Sequence, residues 1–277
     1  MTSDLSSPKE LARIFKASNF IPRRERSQNF MIDRSVIKEM VSVSKVNKND
    51  TVLEIGPGVG ILTEELLKNA KKVVAVEIDS NLVQILKKRL GQTSNLQAVK
   101  DDIRTVHLLN LGLVDRQYHL ISNLPYQITS LVLKNFLSLE PKPQKMTLVI
   151  QKEVAERLVA PQGKKSLLTI SVEVYGRAIF HKIVTADSFW PQPKVDSALI
   201  TIELYPKAQY RDLKKFFQVV KSGFRNKRKQ LHNSLSAGLG IDQEKIITTL
   251  KSININPASR PQELVLDQWC EIADNIV

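Results

Sequence analysis

The chain has 277 residues, 42% of them hydrophobic, which is enough for one sizeable core and a small accessory domain. Its 41 Lys and Arg against 28 Asp and Glu give a net charge of +13, which favours a polyanionic partner, nucleic acid first and an acidic membrane surface second. A single cysteine, Cys270, rules out a disulfide framework and a cysteine-based zinc site, and four scattered histidines (His107, His119, His181, His232) argue against any metal centre. The opening MTSDLSSPKE lacks a signal-peptide core, and no apolar run reaches membrane-spanning length. A soluble, cytoplasmic protein without a membrane partner is expected.

From Thr51 onward, short β-rich runs alternate with helical patterns. TVLEI at 51–55 is followed by the helical ILTEELLKNA, then KVVAVEI at 72–78, then SNLVQILKKRL closed by Gly91. LQAV, YHLIS and a helix near SLVLKNFL continue the alternation, which predicts βαβ units and a mostly parallel sheet. After MTLVI comes a short helical EVAERLV. LLTISVEVYG, AIFHKIV and ALITIEL then read as antiparallel strands at the sheet edge, the last two separated by the proline-rich loop FWPQPKVDS at 189–197. From about Pro206 the pattern is helical without strands, with helices expected at 211–222, 225–236, 242–250 and 261–274, and Pro261 placed for a first turn. The expected organisation is an α/β domain over 1–205, whose residues 1–26 form a basic, flexible segment, and an all-α domain over 206–277.

VLEIGPGVG sets Gly56, Gly58 and Gly60 between a strand and a helix, where bare backbone allows a ligand to approach closely. Ile61 occupies the position where a dinucleotide fingerprint needs its third glycine, which disfavours a pyrophosphate ligand. Glu77 ends the next strand, where a carboxylate can accept both hydroxyls of a ribose. Asp102, after the third strand, is placed for an adenine amino group. Taken singly, each feature also fits a structural βαβ unit or an acidic turn.

The strand near Tyr118 ends in Asn123-Leu124-Pro125-Tyr126. The lone pair of a nucleobase amino group is delocalised into the ring, so the nitrogen must become tetrahedral to attack a methyl group. The Asn123 side-chain oxygen and the Leu124 carbonyl can accept its two hydrogens, with Pro125 fixing the turn. Tyr126 offers its ring as a stacking platform for a base taken out of its helix, and nothing in this reading requires the hydroxyl.

In order along the chain stand SQNF (27–30), EIGPGVG (54–60), NLPY (123–126), QKEVAERL (151–158), FWPQPKVDS (189–197) and FRNKRKQLHNSL (224–235). Together they closely resemble the KsgA-type (RsmA) small-subunit ribosomal RNA adenine dimethyltransferases, from about residue 20 to near the end. The resemblance implies a Rossmann-like S-adenosylmethionine-dependent methyltransferase domain followed by a small helical domain. The implied activity is dimethylation of the 6-amino groups of two adjacent adenosines in a hairpin loop near the 3′ end of small-subunit rRNA, by a monomer acting on rRNA or the pre-small ribosomal subunit. It further implies that Gln28, Asn29 and Met31 line the cofactor beside the glycines, that Glu77 takes its ribose and Asp102 its adenine, that Asn123 lies next to the methyl donor, and that Phe189 faces Tyr126 as the second aromatic wall. Three positions depart from the family pattern: Ser27 for Gly, Met31 for Leu and Gln127 for Asn. None removes a group the chemistry needs.

The positive charge is concentrated. Residues 206–232 hold Lys207, Arg211, Lys214, Lys215, Lys221, Arg225, Lys227, Arg228 and Lys229 against Asp212 alone, and residues 9–26 add Lys9, Arg13, Lys16, Arg23, Arg24 and Arg26. Charge runs are often solvated helix faces, but two of them around a base-modifying site suit phosphate contacts. Arg23, Arg24, Arg26, Lys221, Arg225, Lys227, Arg228 and Lys229 are the expected RNA contacts. The related macrolide-resistance methyltransferases of large-subunit rRNA fit NLPY with QKEVAERL, PKVDS and the basic 224–235 run less well. DNA amino-methyltransferases usually carry a second proline where Leu124 stands, and the intact Asn123, Glu77 and Asp102 speak against a noncatalytic assembly factor.

Overall fold

The computed structural model describes residues 7–22, 28–226 and 228–276. Arg23, Arg24, Arg26, Ser27 and Lys227, all singled out above, lie outside them. The chain divides into two compact units, one of Met1–Ala155 with Ile179–Leu204, the other of Glu156–Ala178 with Tyr205–Val277.

The first unit begins with a helix where the sequence suggests a flexible segment. This is α1 (Pro8–Ala17), which buries Leu11 and Phe15, four residues apart, on one face. Phe15 meets Phe20 at 4.9 Å, Phe30 at 5.0 Å and Trp190 at 5.8 Å between ring centroids, and this packing outweighs the basic composition of the segment. β1 (Phe30–Met31) follows, then α2 (Arg34–Ser44), capped by the Asp33 carboxylate accepting from the amides of Ser35 and Val36.

The alternation then runs as the sequence predicts: β2 (Thr51–Ile55), α3 (Ile61–Asn69), β3 (Lys72–Glu77), α4 (Ser80–Leu90), β4 (Leu96–Lys100), β5 (Tyr118–Asn123), α5 (Thr129–Ser138), β6 (Lys145–Gln151) and α6 (Lys152–Leu158). α7 (Leu167–Glu173) comes next, then β7 (Gly176–Val184), β8 (Phe189–Trp190) and β9 (Ser197–Leu204). Strand order in the seven-stranded sheet is β4-β3-β2-β5-β6-β9-β7. Pairing is parallel from β4 to β6 and antiparallel between β6 and β9. The fully buried runs Val73–Ala75 and Leu148–Ile150 are what a sheet covered on both faces requires. β2 and β3 are successive strands on one side, whereas β5 pairs with β2 on the other. That reversal opens a crevice beyond their carboxyl ends.

α7 is a correction, because its β-branched run reads as a strand. Ser166 caps it: the Ser166 hydroxyl accepts from the Thr169 amide at 3.2 Å, and the Thr169 hydroxyl accepts from the Ser166 amide at 3.0 Å. With Ile170 and Val172 buried, capping and tertiary burial override local strand preference.

Besides α7, the second unit holds α8 (Leu213–Phe224), α9 (Leu231–Leu239), α10 (Gln243–Ser252) and α11 (Leu266–Ile276), so it takes in residues the sequence reading assigned to the α/β domain. The helix expected at 225–236 starts only at Leu231, because residues 225–230 offer no apolar side chain to bury. The first amides of α9 instead find tertiary acceptors, Leu231 N–H donating to Ser259 O at 2.7 Å and His232 N–H to Pro257 O at 3.2 Å. Pro261 opens a separate short 3-10 turn, Pro261–Glu263, ahead of α11. Among the described residues no helix is long and apolar enough to cross a membrane, and no group of three or more His, Cys, Asp or Glu side chains is placed to hold a metal ion.

Candidate active site

A cavity of about 350 Å³ lies beyond the ends of β2, β3 and β5, within the size range of small-molecule sites, ~300–1,000 Å³. Its floor is the turn after β2. Gly56 has φ +66°, its amide donates to Val76 O at 2.9 Å, and a Cβ there would stand 3.6 Å from the Pro125 ring. That distance is ordinary contact, so it is the left-handed φ of the turn that favours glycine here, with the NLPY turn packed beside it.

Glu77 ends β3, is 6% exposed, and is pinned by backbone donors: Gly58 N–H to Oε2 at 3.2 Å and Asp79 N–H to Oε1 at 3.0 Å. Each oxygen keeps acceptor capacity for a ligand hydroxyl. Burial raises its pKa, with those amides acting in the opposite sense. Deeper in β2, Glu54 also borders the cavity and accepts from the Thr63 hydroxyl at 2.7 Å; full burial pushes its carboxyl up to about 8. Asp102 behaves differently. Its oxygens accept from Arg104 Nε at 2.9 and 2.8 Å and from Nη2 at 2.5 Å, and these bonds hold it below the usual carboxylate range.

On the other side of the cavity, Leu124 N–H donates to Val149 O at 3.1 Å, continuing the β5–β6 ladder one residue past the strand and fixing the direction of the Leu124 peptide. Asn123 Nδ2 donates to Asn29 O over 3.4 Å. This contact turns the amide so that Oδ1 is the atom left to accept from a ligand. Tyr126 borders the cavity, and its hydroxyl shares a 2.8 Å hydrogen bond with Ser197 Oγ. The hydroxyl is therefore engaged, a contact the sequence reading did not foresee. Burial raises its pKa. Phe189, 3% exposed, also lines the cavity, and in the small β1–β8 sheet it is the register partner of Met31.

The structure thus gathers Gln28, Asn29, Met31, Gly56, Gly58, Glu77, Asp102, Asn123, Leu124, Tyr126 and Phe189 around one cavity. Gly60 is not among its walls. It caps α3 at φ +84°, and a Cβ there would lie 2.5 Å from the Leu86 side chain, so the position serves helix packing. Lys221, Arg225, Arg228 and Lys229 are exposed in the second unit, the last three in the turn between α8 and α9. Lys227 and the Arg23, Arg24, Arg26 group lie outside the described residues. The sequence reading missed Ile78 and Ile103, which border the cavity directly after the two acids. Their signal is an apolar residue following a strand-end carboxylate, with Ile78 49% exposed.

The family model for ribosomal RNA adenine dimethylase matches residues 19–277. A relative from Dehalococcoides mccartyi named "Ribosomal RNA small subunit methyltransferase A" is 36% identical over 249 residues, 89% of this chain and 86% of that protein. Among solved structures, a dimethyladenosine transferase from Plasmodium falciparum is 25% identical with a TM-score of 0.76, covering 87% of this chain and 94% of that one. The 23S rRNA methyltransferase ErmE is 25% identical with a TM-score of 0.74, covering 90% and 99%.

Proposed function

Because the chain belongs to the ribosomal RNA adenine dimethylase family, we propose that it uses S-adenosylmethionine to dimethylate the 6-amino groups of two adjacent adenosines in a hairpin loop near the 3′ end of small-subunit rRNA. The name of the 36%-identical relative supports the small subunit as the source of the substrate. One observation carries the assignment of the site. Asn123, its amide nitrogen held by Asn29 O, stands at the end of β5 on the same cavity as Glu77 and as the two aromatic rings Tyr126 and Phe189.

The residues present fit the cofactor. Glu77 keeps acceptor positions for a ribose, and the positive-φ Gly56 turn leaves backbone open to it. Gln28, Asn29 and Met31 would line the cofactor, and Asp102, now bonded to Arg104, would accept its adenine amino group. Ile78 and Ile103 flank the base with apolar surface. When bound, S-adenosylmethionine supplies a methyl group activated by its sulfonium.

Tyr126 and Phe189 clasp the flipped adenine between their rings. Asn123 Oδ1 and the Leu124 carbonyl would accept the two amino hydrogens, releasing the nitrogen lone pair from the ring and stabilising the positive charge that passes to nitrogen as the N–C bond forms, the methyl–sulfur bond breaks and the neutral thioether leaves. The methylated nitrogen is then acidic enough to lose its proton to solvent without a high-pKa base. Lys221, Arg225, Arg228 and Lys229 hold phosphates of the RNA, fixing register without reading sequence.

The test is mass spectrometry of rRNA from cells lacking the protein. The paired dimethyladenosines of the small subunit should disappear, and return with the wild-type protein but not with Asn123→Ala. Unchanged small-subunit dimethyladenosine would refute the proposal.

A further inference from the structure

We propose that Ser197 is a positioning residue for methyl transfer, acting through the Tyr126 hydroxyl to fix the position of the aromatic wall against which the target adenine stacks. The inference rests on the base-pocket reading above and extends it to the Asp196-Ser197 pair that closes the proline-rich loop.

Ser197 is fully buried at the first position of β9, in register with Gln151 at the end of β6. Its hydroxyl has one described partner, the Tyr126 hydroxyl 2.8 Å away, 71 residues distant in sequence. A serine has a single side-chain torsion, and here its backbone is fixed by the β6–β9 ladder, so its oxygen is confined to a few staggered positions, one of which meets the Tyr126 hydroxyl. Tyr126 sits on a short 3-10 turn, Tyr126–Ile128, outside the sheet. A swing of the side chain about its Cα–Cβ bond would carry the hydroxyl away from Ser197, so the hydrogen bond holds the far end of the ring in one place.

The preceding residue performs the matching task for the opposite wall. Asp196 O accepts from the Lys152 amide at 3.0 Å, and Asp196 Oδ1 accepts from the Ala186 amide at 3.1 Å. The second bond closes the base of the loop that carries Phe189. Two adjacent residues on one rigid strand end therefore reference both aromatic walls to the sheet, which fixes the gap a base must enter. A base that stacks in a gap of set width meets the Asn123 and Leu124 acceptors in one orientation, and orientation is where much of the rate of such a transfer resides.

The test is a double-substitution cycle on the full-length protein, with single-turnover transfer to small-subunit rRNA as the rate and calorimetric S-adenosylmethionine affinity as the control. Ser197→Ala and Tyr126→Phe should each slow transfer by roughly three- to tenfold, the scale of one net hydrogen bond, with cofactor affinity unchanged. In the Tyr126→Phe background, Ser197→Ala should have no further effect, because the hydroxyl through which Ser197 acts is gone. Equal losses from Ser197→Ala in both backgrounds would mean a packing role and overturn the proposal. Full activity of Tyr126→Phe would overturn it too, without recourse to any Ser197 variant. A wild-type protein that binds cofactor but leaves this RNA unmodified would instead refute the underlying functional reading.

Discussion

The fully buried Glu54 makes a pH-dependent prediction that requires no ligand. Its carboxyl is raised from an ordinary 4.5 to about 8 by burial, with the Thr63 hydroxyl opposing and the neighbouring Glu77 charge adding to the rise. Below pH 4.5 the group is protonated in both folded and unfolded chains, and its contribution is fully present. Between 4.5 and 8 the unfolded chain ionises while the folded one keeps its proton, so stability falls as pH rises. At roughly 1.4 kcal/mol per pH unit, the loss reaches about 4 kcal/mol by pH 7.5. Glu54→Gln keeps an acceptor for Thr63 and cannot ionise, so its stability relative to wild type should climb by that order across the window. Urea unfolding of both cofactor-free proteins at pH 5, 6.5 and 7.5 measures it. Asp33 and Asp102, both lowered, act only at more acidic pH and do not enter. A difference between the two proteins that stays within about 1 kcal/mol from pH 5 to 7.5 would refute the reasoning.

Asn123→Ala should leave folding and cofactor affinity near wild type and reduce methyl transfer by ~10²-fold or more, since the lost acceptor matters most as charge develops on nitrogen; single-turnover assays read this directly. Glu77→Ala removes the carboxylate at the end of β3 and should weaken S-adenosylmethionine binding by at least about tenfold in calorimetric titration, with RNA affinity unchanged. Replacing Arg225, Arg228 and Lys229 together by Glu should weaken RNA binding across sequences and flatten the log–log salt slope by somewhat under about one unit per lost phosphate contact, while cofactor binding is unaffected.

The parallel half of the fold was legible because its strands are short, β-branched and punctuated by the glycine and acid positions that a crevice needs. Two regions escaped that logic. In α7 the residues Leu167–Glu173 carry strand preference, and only the reciprocal Ser166–Thr169 cap and burial of Ile170 make them helical. In the basic run after Phe224 a helical periodicity could be drawn on paper, yet α9 waits for the first buried residue, Leu231. Both errors come from reading local preference where partners distant in sequence decide, as the Leu231 amide bonded to Ser259 O illustrates.

The same division runs through the site. Groups announced by a strand end, such as Glu77, Asp102 and Asn123, could be placed from sequence, because the alternation of strand and helix puts them at one rim. What orients them could not: Asn29 O for the Asn123 amide, Arg104 for Asp102, Ser197 for Tyr126. The small β1–β8 sheet belongs to this second class and has a mechanical consequence. Met31 and Phe189, both on the cavity wall, are register partners, and Ile32 N–H donates to Ser188 O at 2.8 Å beside them. The pairing therefore ties the Met31 and Phe189 segments into one piece of structure. The stacking of Trp190 on Phe15, and the tilted contact of Phe15 with Phe30, pack α1 against that piece. This accounts for a helix where composition alone suggested a loose basic tail: its apolar face holds the two-stranded sheet on which both halves of the site depend.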